Sequence, residues 1–264
     1  MSYMSIVVIG ASGRIGKRLV FKLRQDGRQV VEAAPTFGVN TVTGQGLAAA
    51  IDGAQVVVDV SNSPSIEGDA AIRFFETSGH NLAAACEAAG VQHRIALSIV
   101  GTDHLQATGY FRAKKLQEEL LKASPIPFTI LRSTQFFEFI SGVVQTGGHD
   151  DVAVSPALVQ PIAAINVAET LAAIATAAPL NRTTEVAGPE RFRLDDLTTE
   201  VLTAYEDPRC VVTDVRAPYF GAQLDDRSLL PGDEARIADL RFADWLRQSL
   251  QPESRNLRSG VSGE

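Results

Sequence analysis

Residues 5–24 join three local signals in an order that few folds accept. Ser5 to Ile9 is a short β-branched apolar run, Gly10-Ala11-Ser12-Gly13-Arg14-Ile15-Gly16 places a glycine at every third position, and Ile15, Leu19, Val20 and Leu23 then recur at helical spacing. This reads as strand, tight turn, helix. Glycine at such a turn lets the backbone approach a ligand closely, and the amides and positive end of the following helix favour an anion. The spacing therefore predicts a phosphate-binding turn at Gly10, Ser12, Gly13, Arg14, Ile15 and Gly16; without a ligand it would be only a tight strand-to-helix connection.

The alternation continues. Further strands are expected at Gln29–Ala34, at Thr41–Thr43 before a small helix at Leu47–Ile51, and at Gln55–Val60, whose QVVVDV run suits a strand buried on both faces. A long helix over Ile66–Ala89, a fifth strand at Arg94–Ser98, a helix at Tyr110–Ala123 and a sixth strand at Pro127–Arg132 follow. Strands alternating with helices of this length imply right-handed crossovers and a doubly wound parallel α/β sheet, a Rossmann arrangement.

Beyond Arg132 the rhythm loosens, with helices expected at Phe136–Val144, Ala168–Ala177 and Leu194–Tyr205, and strands at Pro161–Ala164, Thr184–Ala187 and Cys210–Val215. The expected division is a dinucleotide-binding core over 1–155, a smaller substrate-side lobe over 156–250 and a frayed polar tail over 251–264.

Composition narrows the function. With 264 residues, 45% hydrophobic and 21% charged, the chain has material for one large domain and its own core. A net charge of −7 leaves no basic footprint for nucleic acid. Cys86 and Cys210 form no ligand pattern, and His80, His93, His104 and His149 show no metal-binding spacing, so metal chemistry is not expected. No stretch has the length and apolarity of a membrane span or a leader, so the expected place is the cytoplasm.

Where the second strand ends, dinucleotide enzymes place an acid for a ribose 2′-hydroxyl or a basic residue for a 2′-phosphate. Here Glu32 falls about two residues early, Ala34 holds the discriminating place without charge, and Arg14 lies in the glycine turn. The expected cofactor is therefore NADP in preference to NAD, with Glu32 as a ribose ligand being the arrangement that would reverse the preference.

GASGRIG after the first strand, VDVSNSP after the fourth, LSIVGTD at the fifth, YFRAK opening the next helix, ILRSTQFFEF at the sixth, and VQPIAAINVAETLAAI with EVAGPE further on carry a resemblance. Over roughly residues 4–205 the chain resembles the atypical short-chain dehydrogenase/reductase superfamily, in its NmrA-like NAD(P)H-binding branch. The resemblance implies a cofactor site that also uses Ser61, Asn62, Lys114 and Ser133, and a catalytic set of Ser98, Tyr110 and Lys114.

Tyr110 and Lys114 are four residues apart, which places phenol and ammonium on one helical face. In the catalytic reading Tyr110 gives a proton to a carbonyl oxygen as hydride arrives, Lys114 favours the phenolate and holds the ribose, and Ser98 orients the carbonyl. In the plainer reading the tyrosine packs, the lysine is solvated and the serine caps a turn. Phe136, Phe137, Phe139, Tyr219 and Phe220 either roof an apolar pocket or fill core. The leading expectation is an oxidoreductase moving hydride between NADPH and a small apolar or aromatic carbonyl or quinone, with a homodimer common in the superfamily. The alternative is a non-catalytic NAD(P)-sensing protein that acts through a protein partner. Isomerase or epimerase chemistry with a retained cofactor is compatible with the same residues.

Overall fold

The computed structural model describes residues 4–140 and 151–250. Its first half contains β1 (Ser5–Ile9), α1 (Arg14–Gln25), β2 (Gln29–Ala33), α2 (Leu47–Ile51), β3 (Val56–Asp59), α3 (Gly68–Ala88), β4 (His93–Ile99), α4 (Gly109–Ala123) and β5 (Phe128–Ser133). The second half adds β6 (Val152–Val154), β7 (Leu158–Val159), α5 (Ala164–Ala175), β8 (Arg182–Ala187), β9 (Phe192–Arg193), α6 (Leu194–Ala204), β10 (Val211–Thr213), β11 (Arg236–Ile237) and α7 (Phe242–Ser249).

Seven strands form one sheet in the order β11-β8-β5-β4-β3-β1-β2, and every pairing in it is parallel. This is the doubly wound α/β arrangement. Strand β1 pairs with β2 on one side and β3 on the other, so the connections leave in opposite directions and open a crevice beyond their carboxyl ends.

Alternation along the strands covers both faces. Ile6 and Val8 join Val56 and Val58 under α1 and α5, while Val7, Ile9 and Val57 meet Leu47, Ile51 and Leu82 of α2 and α3. Burial on both sides is why the strands read as unbroken apolar runs. A third cluster, with Phe137, Leu197, Phe242 and Trp245, sits under the smaller lobe. Among the described residues no helix is long and apolar enough to cross a membrane.

The sheet does not follow the expected division at residue 155. Strand β8 pairs with β5, β11 extends the same sheet and α5 packs beside α1, so these later residues complete the core. Conversely β6 pairs with β10 in a separate two-stranded sheet on the lobe side. Thr41–Thr43 is a turn rather than a strand. The Asn40 side-chain oxygen accepts from Val42 N at 2.9 Å and Thr43 N at 3.1 Å, and Asn81 donates to the Thr41 and Val42 carbonyls. These side-chain bonds replace the ladder that a strand would need. Phe136 bridges to Ile162 and residues 137–140 are helical; the rest of the helix expected to Val144, and the tail from 251, lie outside the described residues.

Candidate active site

The glycine turn closes on itself before the helix begins. Gly10 takes φ +80°, and a β-carbon there would lie 2.8 Å from the Ser61 backbone nitrogen, so the turn and the loop after β3 touch through backbone. Gly16 is equally closed, since a β-carbon would meet the Gly10 carbonyl oxygen at 2.2 Å and Ala11 Cα at 2.6 Å. Gly13 differs: among the described residues a β-carbon there would come within 4 Å of the Gly10 oxygen alone, at 3.2 Å, which leaves space over the turn. Helix α1 starts from Gly13 without a side-chain cap and carries no acid in its first turn. Its first N–H groups, which have no carbonyl one turn back, can therefore meet an anion. These features fit a dinucleotide pyrophosphate.

Other expected contacts are placed unequally around this turn. Ser12 is half-buried and Arg14 exposed, whereas Ile15 is buried in the core under α1. The Ser61 hydroxyl donates to Asp59 Oδ1 at 2.6 Å, which fixes the loop after β3. Ser133 ends β5 opposite Ile99, buried. Glu32 forms an ion pair at 2.6 Å with Arg24 of α1.

Helix α4 begins where Thr108 accepts from Phe111 N and where Gly109 packs directly on Gly68 at the start of α3. That contact brings Tyr110 to the crevice. Its hydroxyl donates to Asn62 Oδ1 at 2.9 Å, one residue beyond the Ser61 that touches Gly10. Burial pushes the phenol above its ordinary pKa.

Lys114, one turn along, enters the interior. Its ammonium donates to the Leu97 carbonyl at 2.8 Å and to Gln117 Oε1, and it lies 4.7 Å from the centre of the Phe75 ring. Gln117 in turn donates to Asp59 Oδ2 at 2.9 Å. Burial pulls the Lys114 pKa down to about 8, with Asp59 and Glu118 opposing it.

Ser98 does not join Tyr110. Its hydroxyl donates to Glu118 Oε1 at 2.6 Å because the pleat that turns Ala96 toward α4 also turns Ser98 there. Glu118 is wholly buried and binds Arg132 twice, through Nε at 2.8 Å and Nη2 at 2.6 Å; Arg132 Nη1 reaches on to Asp103. At the strand end the residue packed against the Tyr110 cluster is Ile99. The expected trio is thus separated into one crevice residue, Tyr110, and two held in the α4 interface.

On the lobe side, Phe220 stacks on Tyr110 with centroids 5.5 Å apart and on Phe139 with centroids 5.3 Å apart. It sits with Gly221 in a two-residue hairpin turn closed by reciprocal Tyr219–Ala222 backbone bonds. Phe139, Tyr219 and Phe220 line a cavity of about 240 Å³, whereas Phe137 packs on Phe242 and Trp245 and Phe136 joins the sheet core. Of the five aromatic residues that could either roof a pocket or fill core, three line the cavity and two fill core. Gln135, which was not expected in a site, lines the same cavity. A glutamine between the end of β5 and a Phe-Phe pair, where apolar packing predominates, is the signal that would have marked it.

A family model described as NAD(P)H-binding matches residues 10–178. Photosystem II assembly factor Ycf39 of Cyanophora paradoxa is 27% identical over 153 residues, 53% of this chain and 48% of that protein. The chain thus spans about half the length of this curated relative. Among solved structures, the Bordetella bronchiseptica enzyme WbmG in complex with NAD and UDP aligns with TM-score 0.70 and 17% identity, covering 98% of this chain and 97% of that one. The dTDP-4-dehydrorhamnose reductase of Bacillus anthracis in complex with NADP aligns with TM-score 0.67 and 11% identity, covering 86% and 90%. At these identities the likeness is one of fold.

Proposed function

Because this chain belongs to the NAD(P)H-binding family, with a Rossmann sheet and glycine turn of the atypical dehydrogenase/reductase kind, we propose that it is an NAD(P)H-dependent oxidoreductase acting on a small apolar or aromatic carbonyl or quinone. The observation that carries this reading is the Tyr110 hydroxyl, buried at the switch-point crevice and tied to Asn62 beside the glycine turn. Bound NAD(P)H would supply the hydride. Gly10, Gly13 and the first amides of α1 hold the pyrophosphate, the 61–62 loop lines the cofactor path, and Tyr110 holds a proton at the crevice for the substrate oxygen. Lys114 and Ser98 act through position: they fix α4 on the sheet and so fix Tyr110. A phenol raised by burial stays protonated at neutral pH and suits the acid role in the reductive direction.

NADP is the proposed cofactor. The Glu32 carboxylate is taken by Arg24 and Arg14 is exposed at the turn, which supports accepting a 2′-phosphate. Calorimetry with NADPH and NADH, followed by NADPH consumption with quinones and aromatic aldehydes or ketones, tests both parts. Tighter NADPH binding and consumption with at least one such acceptor are expected; failure to bind either cofactor overturns the reading.

One observation favours a second reading, a non-catalytic NAD(P)-sensing protein working through a partner: two of the three expected catalytic residues are engaged in the α4 interface. The relative named as an assembly factor points the same way. Cofactor binding without consumption against any acceptor would select it.

A further inference from the structure

Most polar groups in the wall of the cavity beside the Phe220 stack are engaged or turned away from it. Thr198 donates to the Leu194 carbonyl at 2.6 Å, the Ser155 oxygen accepts from Ala157 N at 3.3 Å, and both polar atoms of the Gln135 carboxamide are shielded. Tyr219 is different. Its hydroxyl has no hydrogen-bond partner among the described residues, yet its oxygen keeps accessible surface. Burial, with the neighbouring Tyr110 phenol adding to it, pushes the Tyr219 pKa up, so the group lies deep, near Tyr110, and stays protonated at neutral pH. A hydroxyl that is deep, unpartnered and still accessible, on a residue that lines the cavity, faces that cavity.

The Tyr219 ring is held in place. It stands edge-on to Phe220 with centroids 4.9 Å apart and to Phe139 with centroids 6.5 Å apart, and reciprocal Tyr219–Ala222 backbone bonds fix the residue that carries it. Among the described residues no charged side chain lines the cavity, so a diphosphate or carboxylate would find no counter-charge there. At about 240 Å³ the space suits one or two fused rings. Ile66, on the loop that runs on from Ser61 and Asn62, lines it as well, so the cavity adjoins the proposed cofactor path.

We propose that Tyr219 is the substrate-orienting residue of this cavity: its hydroxyl donates a hydrogen bond to the oxygen of a neutral, flat aromatic ketone, the task expected of Ser98, whose own hydroxyl is bound to Glu118. This names a residue and a substrate class for the oxidoreductase reading and rests on it to that extent; the binding itself stands apart. Tyr110 keeps the proton-donor role.

The test is calorimetry on the full chain with 1-indanone and with indane, which keeps both rings but lacks the oxygen, each with and without saturating NADPH. A ketone and a hydrocarbon also differ in hydrophobicity, so the quantity read is the ratio of their affinities, compared between two proteins. Tyr219→Phe should lower the indanone-to-indane ratio about two- to tenfold, the range for one net hydrogen bond, with indane and NADPH affinities within about twofold of the unmodified protein. Its melting temperature without ligand should not fall, because the hydroxyl has no bond within the protein to lose. A lower melting temperature with an unchanged ratio, as a purely structural hydroxyl would give, overturns the assignment. So does the absence of binding by either probe, or a ratio lost in Ser98→Ala but kept in Tyr219→Phe. A Tyr219-dependent ratio in a protein that fails to bind NADPH would support the cavity while ending the oxidoreductase reading; NADPH binding with an unchanged ratio would end the assignment and leave that reading standing.

Discussion

The Phe220 ring lies nearly parallel to that of Tyr110, with planes inclined by 20°, although the Phe220 backbone sits in the left-handed region at φ +48°. An L-residue there is strained by about 1–2 kcal/mol, and the ring stacks offset it by about 0.5–1.5 kcal/mol each. Replacing Phe220 by glycine removes both strain and stacks, while replacing it by alanine removes only the stacks. Urea unfolding should therefore find the alanine variant less stable than the glycine variant by about 1 kcal/mol. Equal stabilities would mean that the turn does not hold this conformation in solution.

The Ser98, Glu118 and Arg132 side chains form a buried unit that holds α4 against β4 and β5. Glu118→Gln removes the wholly buried one of the two carboxylates that pair with Arg132, leaving the half-exposed Asp103, and should cost at most about 3–5 kcal/mol. Ser98→Ala removes one bond to the carboxylate and should cost about 1.5–3 kcal/mol, with turnover of the folded enzyme within about threefold of the unmodified protein. A loss of turnover in Ser98→Ala without loss of stability would return the serine to the catalytic set.

Lys114 makes stability depend on pH in a definite direction. With its folded pKa near 8 and its ordinary value 10.5, the unfolded chain binds more protons than the folded one between these limits. Stability therefore gains from this group as pH rises through that window, with a slope approaching at most about 1.4 kcal/mol per pH unit, and below it the cost of a buried charge is fully present. Denaturant titrations at pH 7 to 10 on the unmodified protein and on Lys114→Met should differ by that slope. Parallel curves would mean that the ammonium is solvated in the folded state.

The three glycines of the turn have different duties. Gly16→Ala should destabilise the fold, because its new methyl meets backbone that cannot move aside. Gly13→Val should fold near-normally and lose the dinucleotide, because its side chain rises into the open space over the turn. Melting curves and NADPH titration on the pair check the contrast; NADPH binding retained by Gly13→Val would move the pyrophosphate elsewhere.

What was legible in the chain was whatever is encoded by neighbours. The β1 run, its glycines and the α1 periodicity are contiguous, and strand burial on both faces made Gln55–Val60 unmistakable. Side-chain partners far apart in sequence were not legible: nothing near Ser98 announces Glu118, twenty residues on, nor does the local pattern at Thr184 show that β8 closes against β5. Thr41–Thr43 misled because three residues of suitable propensity do not reveal that Asn40 caps them. The resemblance supplied Tyr110 and Lys114 as a pair, but helical spacing fixes only a shared face, and burial depth then sends one side chain to the crevice and the other inward.

The most direct measurement is NADPH oxidation by Tyr110→Phe with any acceptor that the unmodified protein reduces, alongside calorimetry of NADPH binding. Phenylalanine keeps the ring that stacks on Phe220 and removes only the hydroxyl that reaches Asn62. The fold and NADPH affinity should persist while turnover falls by about 10²- to 10⁴-fold, the loss expected when a general acid is removed. Turnover near that of the unmodified protein would contradict the assignment of Tyr110 as the proton donor.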